Sequence, residues 1–493
     1  MDVTPLVRLS VVLAAALIAG CGSNGGSGPP APTPPGSVVV FGTDTPVCDV
    51  ESLPVTITAA SLVPPQGGEV PVVASAAPAT VNFARLADFT NIVATANVPP
   101  GQYNQLWIAL SIPTLVILNT SASPPSAQPL APTLVTTSFH LSITPPLVVT
   151  SGATAGITMD FNLPKSLQVG GNGVVTGTIN PQITVTSNAN SGSSVGEANA
   201  LYGIAGAGSS GNAPSGFTGS FPLALNDGAG QTLTVLVNSS TVFEGDNVTS
   251  LSQITASTFV EVDAIVNSSG QIVAQIVDAE EPTSAANEIV ALLGKVVSVT
   301  RDGSGNAISF TLFVDDEDPN IDPYLEEENS QPLLYGDLPV TLTSSTTYFT
   351  NWRQWNQQSF TFGPKTLGLA EDVAVFGAFG SVGGFKANQI FLRPRSVQGN
   401  FKTLQAAGSD NLTGGFTLTP CSGLFGGQAI TVLSYPDSVF NGLSGLTALT
   451  TAPTLNTVGL LSYQPVSGTA TTGGSWTAPT WVMQARQVHQ LPN

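Results

Sequence analysis

The chain has 493 residues and a formal net charge of −19, and only 9% of its residues are charged, far below the usual quarter or so. Twelve Lys and Arg against 31 Asp and Glu form no basic stripe, which excludes a nucleic-acid partner and charge-driven docking on anionic lipid. Three cysteines and two histidines exclude a dense disulfide framework and a cysteine-rich zinc site.

At the start of the chain, Arg8 precedes an apolar stretch, Leu9 to Ile18, that ends at Ala19-Gly20-Cys21. Residues 1–20 read as a signal peptide closed by a lipobox. The run is too short to cross a bilayer as a helix, and small residues ahead of the cysteine admit a peptidase. Cleavage would leave Cys21 as a new N-terminus carrying two or three acyl chains, which anchor stably where one binds only reversibly. The expected partner at this end is a membrane, reached through lipid on Cys21. No aspartate follows the cysteine, which favours the outer over the inner membrane of a bacterial envelope; the competing reading is an ordinary secretory signal. Residues 21–37, Gly/Ser-rich and then Pro-rich, form a stalk with a reach on the order of 40 Å.

Beyond the stalk, period-2 alternation dominates. Leu53, Val55 and Ile57 alternate with polar or small residues, as do Leu106 to Ile112, Phe139 to Ile143 and Ile157 to Leu163. Each run has one face to bury, and turn signals such as Pro99-Pro100-Gly101 separate the runs. Residues 38–187 are therefore expected to form an antiparallel β-sandwich, followed by a polar linker at 188–197. Three units follow, at 198–282, 289–395 and 396–493. Each opens with a glycine-bearing strand, at Gly203, Gly294 and Gly399. Each carries a short Thr/Ser-x-Phe signature: Thr241-Val242-Phe243, Thr347-Tyr348-Phe349 and Ser438-Val439-Phe440. Units of this length with several short strands suggest small barrels. The fold class expected is all-β: an N-terminal antiparallel β-sandwich followed by three small β-barrel-like repeats.

Thr43-Asp44-Thr45-Pro46, Val55-Thr56-Ile57-Thr58, the element from Val98 to Leu106 and Met159-Asp160-Phe161 resemble an uncharacterised sandwich domain of bacterial envelope lipoproteins, over about 150 residues. Cys48 departs from that family's usual pattern. The three later units resemble a second uncharacterised family of small β-barrels often found in tandem, most clearly at 198–281. These resemblances imply architecture and an envelope location, and bring no activity or catalytic residues.

Candidate chemistry is sparse. Gly192-Ser193-Ser194-Val195-Gly196 fits G-x-S-x-G but lies in the linker, with no strand and helix to make a nucleophile elbow. Gly206 to Gly211 fits G-x-G-x-x-G with no helix following to hold a pyrophosphate. His140 lies on the polar face of its strand and His489 near the C-terminus, so both are expected to be solvated. Trp352, Arg353 and Trp355 in the second unit combine indoles with a guanidinium, a mixture that stacks on and hydrogen-bonds sugars; the competing reading is indoles plugging a barrel mouth. Asp316, Asp318, Asn320, Asp322 and Glu327 stand at positions 1, 3, 5, 7 and 12 of an EF-hand-like count. That spacing suits a weak calcium site. Ile321 stands where glycine should be, and Pro319 and Pro323 stiffen the loop, so a solvated acidic run is the favoured reading. Beyond weak calcium no cofactor is expected. After lipidation of Cys21, Cys48 and Cys421 are the remaining thiols, and they form either a bridge or two buried free thiols. The functional expectation is a lipid-anchored, non-catalytic binding or structural module with an envelope glycan or protein as partner. The alternatives are a carboxylate-dependent envelope hydrolase acting on glycans, and a transmembrane barrel. Against the latter stand the lipobox and an aromatic content of only 7%.

Overall fold

The computed structural model describes residues 33–491 except 46, 113, 172–173, 189–193, 212, 226–231, 245–247, 257, 281–289, 318–333, 351–360, 380–383, 452–453 and 471–472. The N-terminal body contains β1 (Gly36–Thr45), β2 (Val50–Ser52), β3 (Pro54–Val63), β4 (Val70–Val73), β5 (Ala79–Asn82), β6 (Asn91–Val98), β7 (Gly101–Ser111), β8 (Leu115–Asn119), β9 (Ser126–Leu130), β10 (Thr133–Leu134), β11 (Ser138–Val149), β12 (Thr154–Asn162), β13 (Leu167–Val169), β14 (Val175–Ile179) and β15 (Ile183–Ser187). Nine of these make one sheet in the order β4-β3-β7-β11-β15-β12-β1-β6, with β5 on β3. The end strands β4 and β6 meet, so the sheet curls around a single core that includes Leu53, Phe83 and Phe161. The alternating residues noted in the sequence are its inward face: Leu106, Ile108, Ile157, Met159 and Phe161 are all at most 1% exposed.

The body is not purely antiparallel, as had been expected. β1 runs parallel to β12 from Ser37–Thr154 to Thr45–Asn162, and β11 is parallel to β15 at Ile143–Val185. Alternation fixes which face a residue takes and says nothing about the direction of the neighbouring strand.

Next in the chain are β16 (Ser194–Ala205), β17 (Gly219–Leu225), β18 (Thr232–Val237), β19 (Val242–Glu244), β20 (Thr258–Asn267) and β21 (Ile272–Glu280). They are followed by β22 (Val290–Arg301), β23 (Ala307–Glu317), β24 (Asp337–Thr341), β25 (Thr347–Thr350), β26 (Asp372–Phe379) and β27 (Phe385–Ala407). The last are β28 (Gly414–Pro420), β29 (Ile430–Asn441), β30 (Thr454–Gln464), β31 (Gly468–Thr469), β32 (Ser475–Trp476) and β33 (Thr480–Gln490). Three rings close with one pairing scheme: β16-β17-β18-β21-β20, β22-β23-β24-β27-β26 and β27-β28-β29-β33-β30. In each the third and last strands pair parallel while the other pairs are antiparallel. This is the strand order of an OB-type Greek-key barrel.

Local chemistry recurs with the pairing. A Cβ on Gly203, Gly294 or Gly399 would lie within 2.4 Å of a backbone carbonyl on the neighbouring strand, so the first strand of each barrel coils there only as glycine. The hydroxyls of Thr241, Thr346 and Ser438 each donate to an alanine carbonyl on the last strand: Ala274, Ala387 and Ala485. Each also accepts the N–H three residues back, from Asn238, Thr343 and Tyr435. In the second barrel this places the signature at Thr346-Thr347-Tyr348, one residue earlier than the sequence pattern suggested.

Two expected boundaries differ. Ser194 and Gly196, taken as linker, already pair with Asn267 and Val266 in β16. The second and third barrels have no connector at 395/396, because β27 serves both. It pairs with β26 as far as Arg393 and with β30 from Pro394 onward, so a residue without an N–H stands at the handover.

Candidate functional site

The four bodies meet around a partly enclosed cavity of about 130 Å³. Its floor is the outer face of the second barrel, where Lys295 on β22 faces Asp372 on β26, which in turn faces Arg393 on β27. Arg395, two residues further along, projects from the same face of the strand. The N-terminal body contributes Cys48, Asp49, Glu51 and Arg85, the first barrel Tyr202, and the third barrel Cys421 and Phe425. Four of the chain's twelve cations therefore converge here.

The charges are matched across bodies. Lys295 pairs with Glu51, whose side chain is 3% exposed. Two guanidiniums lie over the ring of Tyr202, that of Arg393 at 4.2 Å and that of Arg85 at 5.0 Å from its centroid. Its hydroxyl donates to Glu261 at 2.8 Å. Burial holds the Tyr202 phenol well above its ordinary range and also raises Glu261, against the pull of Arg393. Arg85 Nε is 3.9 Å from Asp315, Arg393 Nε 3.9 Å from Glu261 and Arg395 Nη1 4.0 Å from Asp372. These separations exceed hydrogen-bond reach. Arg393 Nε, Arg395 Nη1 and Asp372 Oδ1 are buried with no hydrogen-bond partner.

Further bonds tie the bodies together. Asp88 accepts from Asn456 Nδ2 at 2.6 Å and lies 2.7 Å from His489 Nδ1, joining the N-terminal body to the third barrel. Arg486 donates to Asp263 at 3.0 Å, joining the third barrel to the first. Cys48 and Cys421 form a disulfide with Cα atoms 5.8 Å apart, in the cavity wall, and Asp49 beside it accepts the Gly423 N–H.

A second, wider groove of about 530 Å³ lies between β1, β6 and the first barrel. Its lining carries no charge. Ser37, Thr95, Asn97, Thr234, Ser269 and Gln271 give it hydroxyls and amides, and Val39, Leu233 and Ile272 give it apolar surface.

Of the residues singled out from sequence, the structure unites Cys48 and Cys421. His489 is not simply solvated: its bond to Asp88 raises its pKa above the usual histidine value, outweighing partial burial. His140 is half exposed, 3.8 Å from Glu69. Cys21, Asp318, Asn320, Asp322, Glu327, Trp352, Arg353 and Trp355 lie outside the described residues, and Asp316 is described only as backbone near the end of β23. Among the described residues no group of three or more His, Cys, Asp or Glu is placed to hold a metal ion, and no helix is long and apolar enough to cross a membrane. Asp44 and Glu371 have carboxyls pushed well above their usual range, chiefly by burial, and neither lines the cavity or the groove. The junction residues were missed because they are scattered from position 49 to 425. The available signal was Arg393-Pro394-Arg395, two of the chain's twelve cations set two residues apart on one strand.

These features define an all-β protein in which a curled sheet and three Greek-key barrels share one charged junction. Residues 35–176 match the family model of a domain of unknown function (DUF4382), and residues 223–278 match that of a second (DUF5666). The first match spans most of the N-terminal body and the second lies within the first barrel. No curated protein matches the chain. A solved structure of drosophila Unr CSD456 aligns with 60% of this chain and 98% of its own at 9% identity, with a TM-score of 0.14, and carries no structural argument.

Proposed function

We propose that this chain is a non-catalytic binding scaffold of the bacterial cell envelope, held by lipid on Cys21, with a neutral envelope glycan as its partner. The observation that carries the binding reading is the uncharged groove between the N-terminal body and the first barrel. Its volume lies within the range of small-ligand sites, and its mixture of hydroxyls, amides and apolar patches matches a sugar's alternating hydroxyl and C–H surface. The inter-body disulfide favours an oxidising compartment and so supports export. An outer-membrane location is part of the proposal, resting on the residues after Cys21.

Two measurements test it. Mass spectrometry of the mature protein should find an acylated N-terminal Cys21, and Cys21→Ala should leave unlipidated precursor; another N-terminus overturns the anchoring. The full-length chain in detergent, screened against neutral envelope glycans, should bind one class, and Asn97→Ala with Gln271→Ala should weaken that binding about tenfold. No binding to any glycan, or binding indifferent to both substitutions, overturns the groove as the site.

A further inference from the structure

We propose that the outer face of β3, β7 and β11 binds a neutral β-1,4-linked glycan strand, with one sugar ring stacked on Trp107 and its hydroxyls bonded by the polar side chains around that indole. The groove plays no part in this inference. Pairing in register defines the face. Leu106 and Ile108 are at most 1% exposed and point into the N-terminal core, so Trp107 between them points outward. Its cross-strand neighbours are Ser61 on β3 and His140 on β11, and Ser61 lies across from Pro71 on β4. The next outward row along the strands is Val63, Gln105 and Ser142. At strand spacings of about 4.8 Å, four strands make a face about 14 Å wide, with room for about three pyranose rings in line.

This is a side of the N-terminal body that the barrels leave open. Elsewhere on the curled sheet, Val39, Phe41 and Ile92 are buried in the core of the first barrel. Val116 and Leu118 of β8 are buried with the third. Among the described residues, no barrel strand makes extended contact with β3, β7 or β11. Trp107 is partly exposed and joins none of the hydrophobic clusters that the described residues form. The indole is therefore available at the surface and is not a packing residue of the fold.

The surrounding groups select the partner. His140 Nε2 lies 3.8 Å from Glu69 Oε1 and both side chains are half exposed, which brings a carboxylate to the face that carries the indole. Gln105 and Ser142 are exposed in the adjoining row. Amide, imidazole, carboxylate and hydroxyl groups thus surround one apolar plane, the complement of a sugar ring with C–H groups on its face and hydroxyls at its edge. A protein partner would need roughly 800 Å² on each side with an apolar centre. Here the row beyond Trp107 is Ala59, Ala109 and Ser138, too small to supply one. An open face without walls suits the extended ribbon of a β-1,4-linked chain better than the coil of an α-1,4-linked one. Glu69 and a net charge of −19 disfavour an acidic glycan.

The test uses the full-length chain in detergent, by calorimetric titration with defined tetrasaccharides. Cellotetraose and chitotetraose are the neutral β-1,4-linked probes, maltotetraose is the α-1,4-linked control and β-1,4-linked tetramannuronate the acidic one. At least one neutral β-1,4-linked probe should bind saturably, and at least about tenfold more tightly than either control. Trp107→Ala should weaken that binding at least about tenfold, and Trp107→Phe, which keeps a smaller ring, should fall between it and the parent. Because the indole packs in no core, both variants should melt within about 2 °C of the parent, so that lost affinity reads as lost recognition. Gln105→Ala should weaken the same binding by about threefold, and Asn97→Ala with Gln271→Ala in the groove should leave the Trp107-dependent step unchanged. Absence of saturable binding by cellotetraose and chitotetraose at tens of millimolar overturns the proposal. So does undiminished affinity in Trp107→Ala, or equal affinity for maltotetraose or tetramannuronate. Binding lost in the groove variant and kept in Trp107→Ala assigns the glycan to the groove and overturns this face alone; binding lost in Trp107→Ala and kept in the groove variant supports this face and removes the groove.

Discussion

Replacing Cys48 and Cys421 with alanine tests whether the bridge holds the third barrel to the N-terminal body. The two residues are 373 apart in sequence, and the chain-entropy relation gives about 6 kcal/mol for closing a loop of that length. That figure is an upper bound for two structural reasons. The same two bodies remain joined by Asp88 to Asn456 and His489, and by Val116 and Leu118 packed into the core that contains Phe416 and Trp481. Any barrel still folded when the first body opens also shortens the flexible path that the bridge closes. A loss of about 2–4 kcal/mol is therefore expected. With an unfolding entropy of roughly 2 cal/mol/K per residue, that loss lowers Tm by about 2–4 °C if the whole chain melts as one unit. It lowers Tm by about 10–20 °C if the third barrel melts alone. Scanning calorimetry with and without reductant reads the size of the shift, and non-reducing peptide mapping should recover the crosslinked pair. Two freely alkylatable cysteines in the untreated protein, or a Tm within about 1 °C of the parent, would refute the reasoning.

Ser438→Ala removes a hydroxyl that accepts from Tyr435 N and donates to Ala485 O inside the third barrel; a loss of about 1–3 kcal/mol is expected in urea unfolding, and one under about 0.5 kcal/mol would show that the bridge does not matter. Glu371 is fully buried and its carboxyl is pushed well above 4.5 by burial, so its favourable contribution is present below that unfolded value and lost as pH rises towards the raised folded one. Glu371→Gln keeps an oxygen for the Tyr463 N–H and should raise Tm at pH 7 but not at pH 4; a lower Tm at pH 7 counts against a neutral carboxyl. His489 behaves with the sign of a base raised by a partner: the Asp88 bond contributes fully below about pH 6.5 and is lost as pH climbs through the raised folded value. Tm should fall across that window in the parent, and Asp88→Asn should flatten the slope.

Much of the architecture was readable because burial on one face of a strand writes period 2 into the sequence. The runs Leu106–Ile112 and Ile157–Leu163 place their apolar members inward as alternation requires. The glycines at 203, 294 and 399 marked the first strand of each barrel for a local steric reason, since a side chain there would strike the neighbouring backbone. The hydroxyl signature was visible too, although in the second barrel its register slipped by one: the pattern selects Thr347, while the adjacent Thr346 carries an equivalent hydroxyl and only its bond to Ala387 shows that it fills the role.

By itself, then, the sequence determined the β character of the chain and the scarcity of cations, whereas the sandwich expected for the N-terminal body is one sheet curled until β4 meets β6. Tertiary structure decided everything that depends on which strands become neighbours. The parallel β1–β12 pairing, the single strand from Phe385 to Ala407 that serves two barrels, and the meeting of Cys48 with Cys421 are of this kind. So is the junction, where Arg85, Lys295, Arg393 and Arg395 are brought together with Glu51, Asp315 and Asp372 from distant parts of the chain. Local periodicity reports the environment of each residue, whereas partners hundreds of residues away leave no mark on it. The charges at the junction became legible as a site only once chain closure placed their donors and acceptors around one cavity.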